Sequence, residues 1–180
     1  MSLAPRLFLQ LGRLGVATLL AGVVPAGAVS ELDVKAAVVV NLLAFADWPT
    51  HVAPPPTASL VLCVSAQQPL RVPLATLNGR AVRHWVLQVR ELGAADTTAP
   101  CHALLVDDVL LAARPALQHE LHAMPLLTFA DGRQAPETPV CIRLDVLSGR
   151  VSFTVDLAIA RANGLSLSSR LLRLAREVRE

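Results

Sequence analysis

The sequence contains no tyrosine and a single lysine, and its aromatic residues make up 3% of the chain. It has no run of basic residues, whereas a protein that binds nucleic acid needs a concentrated cationic surface. The glycine-rich patterns that cradle nucleotide phosphates are also missing from the sequence. We therefore expect neither a nucleic-acid partner nor a cofactor.

The first 28 residues have the composition of a secretory signal peptide. Arg6 and Arg13 accompany an apolar run over residues 14–24, and Ala-Gly-Ala at residues 26–28 fits the small-residue rule for cleavage. An uncleaved membrane anchor is the alternative, but the apolar run is shorter than the roughly 20 residues that cross a bilayer. No cysteine directly follows the cleavage site, so a lipid anchor is not predicted. We expect export to the periplasm and cleavage after residue 28.

The remaining chain, residues 29–180, is electrically balanced. Cleavage removes two of the 16 basic residues and none of the 14 acidic ones, which leaves 14 of each. A chain of this length suits one domain with its own hydrophobic core. No later apolar segment reaches membrane-spanning length. We therefore predict one soluble domain outside the cytoplasm.

Three cysteines, Cys63, Cys101 and Cys141, follow the signal peptide. In an oxidising compartment an odd number implies one disulfide and one leftover thiol. We prefer the pair Cys63 and Cys101, because each lies in or beside a predicted strand. Closing this loop would stabilise the fold by about 3 to 4 kcal/mol in the chain-entropy model. The alternative is three buried free thiols, since cysteine is among the residues most often buried.

The domain begins with a predicted helix. Ser30 and Asp33 have the spacing of a capping box, and Trp48-Pro49 is predicted to end the helix. Residues at helical spacing mark its expected inner face, namely Val34, Ala37, Val38, Asn41, Leu42 and Phe45.

Further along the chain, strand and helix patterns alternate. Residues 59–65 and 85–89 read as strands, and residues 103–129 as a strand-helix-strand unit that favours parallel pairing, with Pro115 kinking or splitting the helix. Ser-Gly-Arg at residues 148–150 predicts a hairpin. Helices are expected from Asp156 to Asn163 and from Ser168 or Ser169 to Val178. The pattern predicts an α/β fold: a single layered domain with a mixed, partly parallel β-sheet flanked by helices.

A series of short motifs runs through the domain. They are Lys-Ala-Ala at residues 35–37, Phe-x-x-Trp-Pro at 45–49, Leu-Cys-Val at 62–64, Asn-Gly-Arg at 78–80, Cys-His at 101–102, Leu-Thr-x-x-Asp at 127–131 and a block from Gly149 to Ala175. In order and spacing they resemble the YfiR family of small periplasmic proteins over nearly all of residues 29–180. Some relatives carry a further cysteine shortly after the position of Cys141, and its absence here implies that Cys141 is a lone thiol.

The resemblance implies a regulator that acts by protein binding. It implies that the protein binds the periplasmic domain of an inner-membrane diguanylate cyclase and represses it, and so acts in cyclic di-GMP signalling and biofilm regulation. An outer-membrane lipoprotein would sequester the repressor, and family behaviour suggests a homodimer. A bridge between Cys63 and Cys101 would make this regulation redox-sensitive. The alternative function is a small-molecule or metal-binding sensor domain that serves a receptor or a histidine kinase.

Two groups of side chains are candidates for the interface. Phe45 and Trp48 close the first helix and are either core residues or interface anchors, since aromatics serve in both settings. Arg170 and Arg173 lie on the basic face of the last predicted helix, which is either a solvated surface or a docking edge for an acidic partner.

Other polar residues have structural explanations that compete with chemistry. His119 and His122 have helical i and i+3 spacing, and Cys101-His102 would add ligands to a metal site, but exposed histidine pairs are common and a disulfide would consume Cys101. Asp107 and Asp108 follow a strand but also suit a helix cap. Ser168-Ser169 lacks the second glycine of a nucleophile elbow. We therefore predict neither a metal site nor an enzyme.

Overall fold

The computed structural model of the protein describes residues 29–99, 101–132 and 139–180. The predicted signal peptide, residues 1–28, lies outside this described part. None of the helices in the described ranges has the length and apolar composition that crossing a bilayer requires.

Helices and strands alternate through most of the chain. The helices of the described ranges are α1 (Glu31–Leu43), α2 (Arg71–Thr76), α3 (Asp108–Ala113), α4 (Leu117–Ala123), α5 (Leu157–Ala162) and α6 (Ser169–Leu174). The strands are β1 (Ala46–Asp47), β2 (Ser59–Ser65), β3 (Ala81–Val82), β4 (Trp85–Leu92), β5 (Ala103–Val106), β6 (Leu127–Asp131), β7 (Ile142–Leu147), β8 (Arg150–Asp156), β9 (Ser166–Leu167) and β10 (Glu177–Arg179).

Eight of the described strands form one mixed sheet in the order β10-β8-β7-β6-β5-β2-β4-β3. The neighbours from β7 through β6, β5 and β2 to β4 are parallel, and so are β8 and β10. The β7–β8 and β3–β4 pairs are antiparallel. The predicted α/β class with a mixed sheet is therefore confirmed.

Helices cover both faces of the sheet. One apolar cluster joins the sheet to α1, α2, α5 and α6, and a second joins the other face to α3 and α4. Strands β2, β5 and β6 are therefore buried on both sides, which explains why they read as continuous apolar runs in the sequence.

Helix α1 begins as predicted but turns a different face inward. The capping box is present, since the Ser30 hydroxyl accepts from the Asp33 N–H at 3.1 Å and the Asp33 carboxylate accepts from the Ser30 N–H at 3.2 Å. The buried residues of the helix are Lys35, Ala36, Val39, Val40, Leu42 and Leu43. Of the predicted stripe, Leu42 is buried and Val38 and Phe45 are half-buried, while Val34, Ala37 and Asn41 are not in the core, and Lys35 is 1% exposed.

The same helix also ends earlier than predicted. Its last residue is Leu43 rather than a position next to Trp48, because Ala46 and Asp47 pair with β9 in a short antiparallel ladder. Pairing in the folded chain overrides the local helical pattern here.

The C-terminal part combines confirmed and corrected expectations. Ser148 and Gly149 have φ values of 50° and 74°, which suit the tight turn between β7 and β8 that the sequence predicts. The helix expected after Val109 is divided into α3 and α4 around Pro115, because proline cannot continue the hydrogen-bond ladder. The sequence predicts a last helix that reaches Val178, but α6 ends at Leu174, because residues 177–179 pair with β8 as β10.

Candidate functional site

A groove of about 430 Å³ brings three of the sequence-predicted interface residues together. Phe45, Arg170 and Arg173 line it, and we call it the arginine groove. Its other lining residues are Ala44, Asp47, Arg83, Ser168 and Ser169.

The small β1–β9 ladder builds this groove. Ala46 pairs with Leu167, and the Ser168 N–H donates to the Phe45 carbonyl at 2.9 Å. Ser168 is also the N-cap of α6, because its hydroxyl accepts from the Leu171 N–H at 3.3 Å. The ladder and the cap together hold the start of α6 against the end of α1.

The arginine groove has an excess of positive charge. Arg83 donates to Asp47 at 2.6 Å, which leaves Arg170 and Arg173 as exposed cations. Within the described ranges neither of these two guanidinium groups has an ion-pair partner. Three arginines therefore face one carboxylate, and an acidic surface would be attracted to this groove.

Arg83 lies in a turn and contacts two side chains. Its φ is +55°, a left-handed conformation that costs a non-glycine residue about 1–2 kcal/mol. Its guanidinium lies 5.5 Å from the Trp85 ring centroid, so a cation–π contact adds to the ion pair with Asp47. Sequence reasoning missed Arg83. The available signal was that the two-residue connection between β3 and β4, where a glycine is usual, contains none.

A second, more apolar depression of about 440 Å³ adjoins the arginine groove and shares Ala44, Phe45 and Arg83 with it. Leu174, 63% exposed, and Val82 contribute its apolar lining, and Arg80 adds a cation. We call the two depressions together the docking surface. Exposed apolar and cationic groups side by side are typical of protein interfaces.

Trp48, the fourth candidate interface residue, lies in the core and not on this surface. It is 6% exposed, and its indole N–H donates to the His102 carbonyl at 2.9 Å. Its ring meets the Trp85 ring edge-on, with the centroids 5.9 Å apart. Trp48 therefore anchors the loop after β1 to the sheet.

The cysteines lie away from the docking surface. Cys63 and Cys101 form a disulfide, and both pack in the cluster beneath α3 and α4, on the other face of the sheet. Cys141 is a buried free thiol, and this burial raises its pKa.

The other candidates for chemistry fill structural roles or are not brought together. The Asp107 carboxylate accepts from the Leu110 N–H at 2.7 Å and so caps α3. The His102 Nδ1 accepts from the Val61 N–H at 3.1 Å, and burial lowers the pKa of this histidine. His119 and His122 belong to no group of three or more possible metal ligands in the part of the chain that the structure describes.

Sequence reasoning also missed a buried ion pair that fixes α1 to the sheet. The Lys35 ammonium lies 2.7 Å from Asp131 Oδ1 and 3.0 Å from Glu31 Oε1. Lys35 opens the Lys-Ala-Ala motif and Asp131 ends the Leu-Thr-x-x-Asp motif, so the pair joins two motifs that are 96 residues apart. The available signal was that the only lysine of the chain lies within an apolar helix.

The model of the family described as YfiR/HmsC-like matches residues 32–176. The search of curated proteins found no match.

Proposed function

The chain belongs to the YfiR/HmsC-like family, a family of periplasmic regulators of diguanylate cyclases, and from this premise we propose that it represses such a cyclase by binding its periplasmic domain. In this proposal residues 1–28 direct export and residues 29–180 form the regulatory domain. The observation that carries it is the docking surface, where arginine side chains lie beside the exposed Leu174 and the half-buried Phe45.

In the proposed complex Arg170 and Arg173 contact an acidic surface of the cyclase. Phe45 and Leu174 contact an apolar surface of it. Burying apolar side chains supplies the affinity, and the guanidinium groups select the partner and accelerate the encounter. Because the β1–β9 ladder and the Ser168 cap already fix the groove, little ordering would be needed on binding. An outer-membrane lipoprotein that competes for the same surface would release the cyclase, and a homodimer is part of the same proposal.

The first test is cellular cyclic di-GMP in the source bacterium with and without the gene. Deletion should raise the level, and the exported protein should restore it. A version without residues 1–28 should not, because it would stay on the wrong side of the membrane. No change on deletion, in cells that express the gene, would contradict repression of a cyclase.

The second test addresses the surface. The double charge reversal Arg170→Glu with Arg173→Glu should weaken binding to the purified periplasmic domain of the cyclase by about tenfold or more. The double variant Arg150→Glu with Arg161→Glu, at exposed positions outside the docking surface, changes the net charge equally and is the matched control, which should bind like the wild type. Equal losses in the double variant and the control would show that general charge, and not the docking surface, decides the affinity.

We also propose that the Cys63–Cys101 disulfide makes the regulation redox-sensitive. The bridge lies on the other face of the sheet from the docking surface, so its reduction would act by loosening the fold and not by removing a contact. A reduced protein that is equally stable and binds the cyclase equally well would remove this part of the proposal.

A second candidate function is a small-molecule sensor domain that serves a receptor or a histidine kinase. Its support is the size of the arginine groove, about 430 Å³, within the range of about 300–1,000 Å³ that is usual for ligand pockets. Its three arginines would suit an anionic ligand. Mass spectrometry of the natively purified protein tests this function, because a bound small molecule would favour the sensor.

A further inference from the structure

The last strand, β10, lies at one edge of the eight-stranded sheet. Among the described strands it pairs with β8 alone. All of its residues are exposed, with Val178 at 37% and the Glu177 and Arg179 side chains at 44% and 64%. An edge strand presents backbone N–H and C=O groups that have no neighbouring strand, and these groups are a template for pairing with another chain.

The edge of β10 lacks the features that usually prevent such pairing. Natural proteins protect their edge strands with proline, lysine or a β-bulge. The sequence of β10 is Glu-Val-Arg, and its three residues pair with β8 in an unbroken register. Glu177 and Arg179 are two residues apart and so project to the same face of the sheet. Val178 is opposite Val155 of the core and projects to the other face.

The order of the two charges selects one way of pairing with a second copy of the chain. In an antiparallel pair in which Val178 is opposite Val178 of the second copy, each Glu177 is opposite an Arg179. An antiparallel pair centred on either charged residue places two like charges opposite each other, and an in-register parallel pair does the same. Like charges directly opposite are destabilising. The pairing centred on Val178 is also symmetric about a twofold axis, as the interface of a homodimer usually is.

We propose that two copies of the protein associate through antiparallel pairing of their β10 strands, which joins the two sheets into one. Backbone hydrogen bonds link the two edges, and the two Val178 side chains meet at the twofold axis. Glu177 and Arg179 already form an ion pair at 2.8 Å within one copy. This pair is kept in the dimer, where the two pairs lie side by side with opposite charges facing each other.

This inference rests on the homodimer of the proposed function and names its surface. No residue of β10 lines the docking surface, so the dimer uses different residues from the contact with the cyclase. Two strands of three residues bury less than the roughly 1,200–2,000 Å² of a stable complex, so we expect a reversible dimer with a dissociation constant in the micromolar range. Salt screens exposed charges and should weaken it.

The test is sedimentation equilibrium of the purified mature protein at low ionic strength, over about a hundredfold range of protein concentration. We expect an equilibrium between monomer and dimer. Glu177→Arg and Arg179→Glu should each weaken the dimer by about tenfold or more, because each change acts twice in a symmetric pair. Arg150→Glu, an exposed position at the other end of β8, is the matched control and should change the dissociation constant by less than about twofold.

Two rescue experiments separate a lost contact from a damaged fold. The double variant Glu177→Arg with Arg179→Glu exchanges the two charges, so opposite charges face each other again and the dimer should return. An equimolar mixture of the two single variants should form a heterodimer for the same reason. Unfolding of β10 would be reversed by neither.

A protein that stays monomeric at all these concentrations would overturn the proposal. So would a dimer that neither single charge reversal weakens, or single variants that neither rescue restores. The cyclase is absent from this experiment, so a negative result would leave its repression to be decided by the cyclic di-GMP measurement.

Discussion

The Lys35 ammonium pairs with two carboxylates, and these two ion pairs should contribute differently to the free energy of unfolding. Asp131 is 4% exposed, whereas the Glu31 side chain is 35% exposed. Removing one partner of a buried pair costs about 3–5 kcal/mol, because the remaining charge is left in a poorly solvated site. A pair with one partner at the surface contributes about 0–1 kcal/mol, since water screens it.

We therefore expect Asp131→Asn to lower the free energy of unfolding by about 3 kcal/mol, the lower end of that range, because asparagine keeps one acceptor oxygen near Lys35. Glu31→Gln should lower it by less than about 1 kcal/mol. With a urea m-value of about 2 kcal/mol/M, the unfolding midpoint should fall by about 1.5 M for the first variant and by less than about 0.5 M for the second.

Urea unfolding at pH 7, followed by far-ultraviolet circular dichroism, measures both values. The double variant Lys35→Met with Asp131→Leu supplies a further arm, since replacing a whole buried ion pair by apolar groups is often neutral or stabilising. It should be more stable than Asp131→Asn. Equal losses for Asp131→Asn and Glu31→Gln, or a loss below about 1 kcal/mol for Asp131→Asn, would refute the reasoning that burial makes this pair strong.

Three further predictions concern the cysteines and His102. Replacing Cys63 and Cys101 together by serine should lower the free energy of unfolding by about 4 kcal/mol. The loss comes from the closure entropy of the loop, whose ends are 38 residues apart. A fall in the melting temperature of less than a few degrees would contradict this prediction. His102 has a lowered pKa, so the unfolded state binds more protons as the pH falls below about 6.5. The free energy of unfolding should therefore decrease from pH 7.5 to 5.5, and this decrease should be smaller in His102→Gln; an equal decrease in that variant would contradict the prediction. Cys141 is buried with a raised pKa, so iodoacetamide should not label the unreduced native protein at pH 8 but should label one thiol after unfolding in urea.

The fold could be predicted well where one physical signal dominates. The apolar run of β2 and the turn at Ser148 and Gly149 each lie in the structure where the sequence predicts them. The disulfide between Cys63 and Cys101 joins the preferred pair. In these places local pattern and final environment agree, so no knowledge of distant contacts is required.

The errors arise where a distant contact overrides a local preference. Lys35 faces the core only because Asp131, far along the chain, supplies its counter-charge. Residues 177–179 continue the helical pattern of α6 but become a strand, because the edge of β8 offers hydrogen bonds that a short exposed helix end does not.

The candidate site was predicted as separate residues and not as a surface. Phe45, Arg170 and Arg173 are separate candidates in the sequence, and that they line one groove depends on a ladder between two-residue strands, which are too short to be recognised by alternation. Arg83 was missed because its role comes from a turn conformation and from stacking on Trp85, and neither has a periodic signal.

The contact between Arg83 and Trp85 also gives the protein an optical reporter of its own. The chain has no tyrosine and two tryptophans, so its near-ultraviolet emission comes from Trp48 and Trp85 alone. Both indoles are buried, but Trp85 lies 5.5 Å from a guanidinium that lines the arginine groove. A partner or ligand that draws Arg83 away changes the electric field at this indole, and the emission wavelength then registers occupancy of the groove without any attached dye.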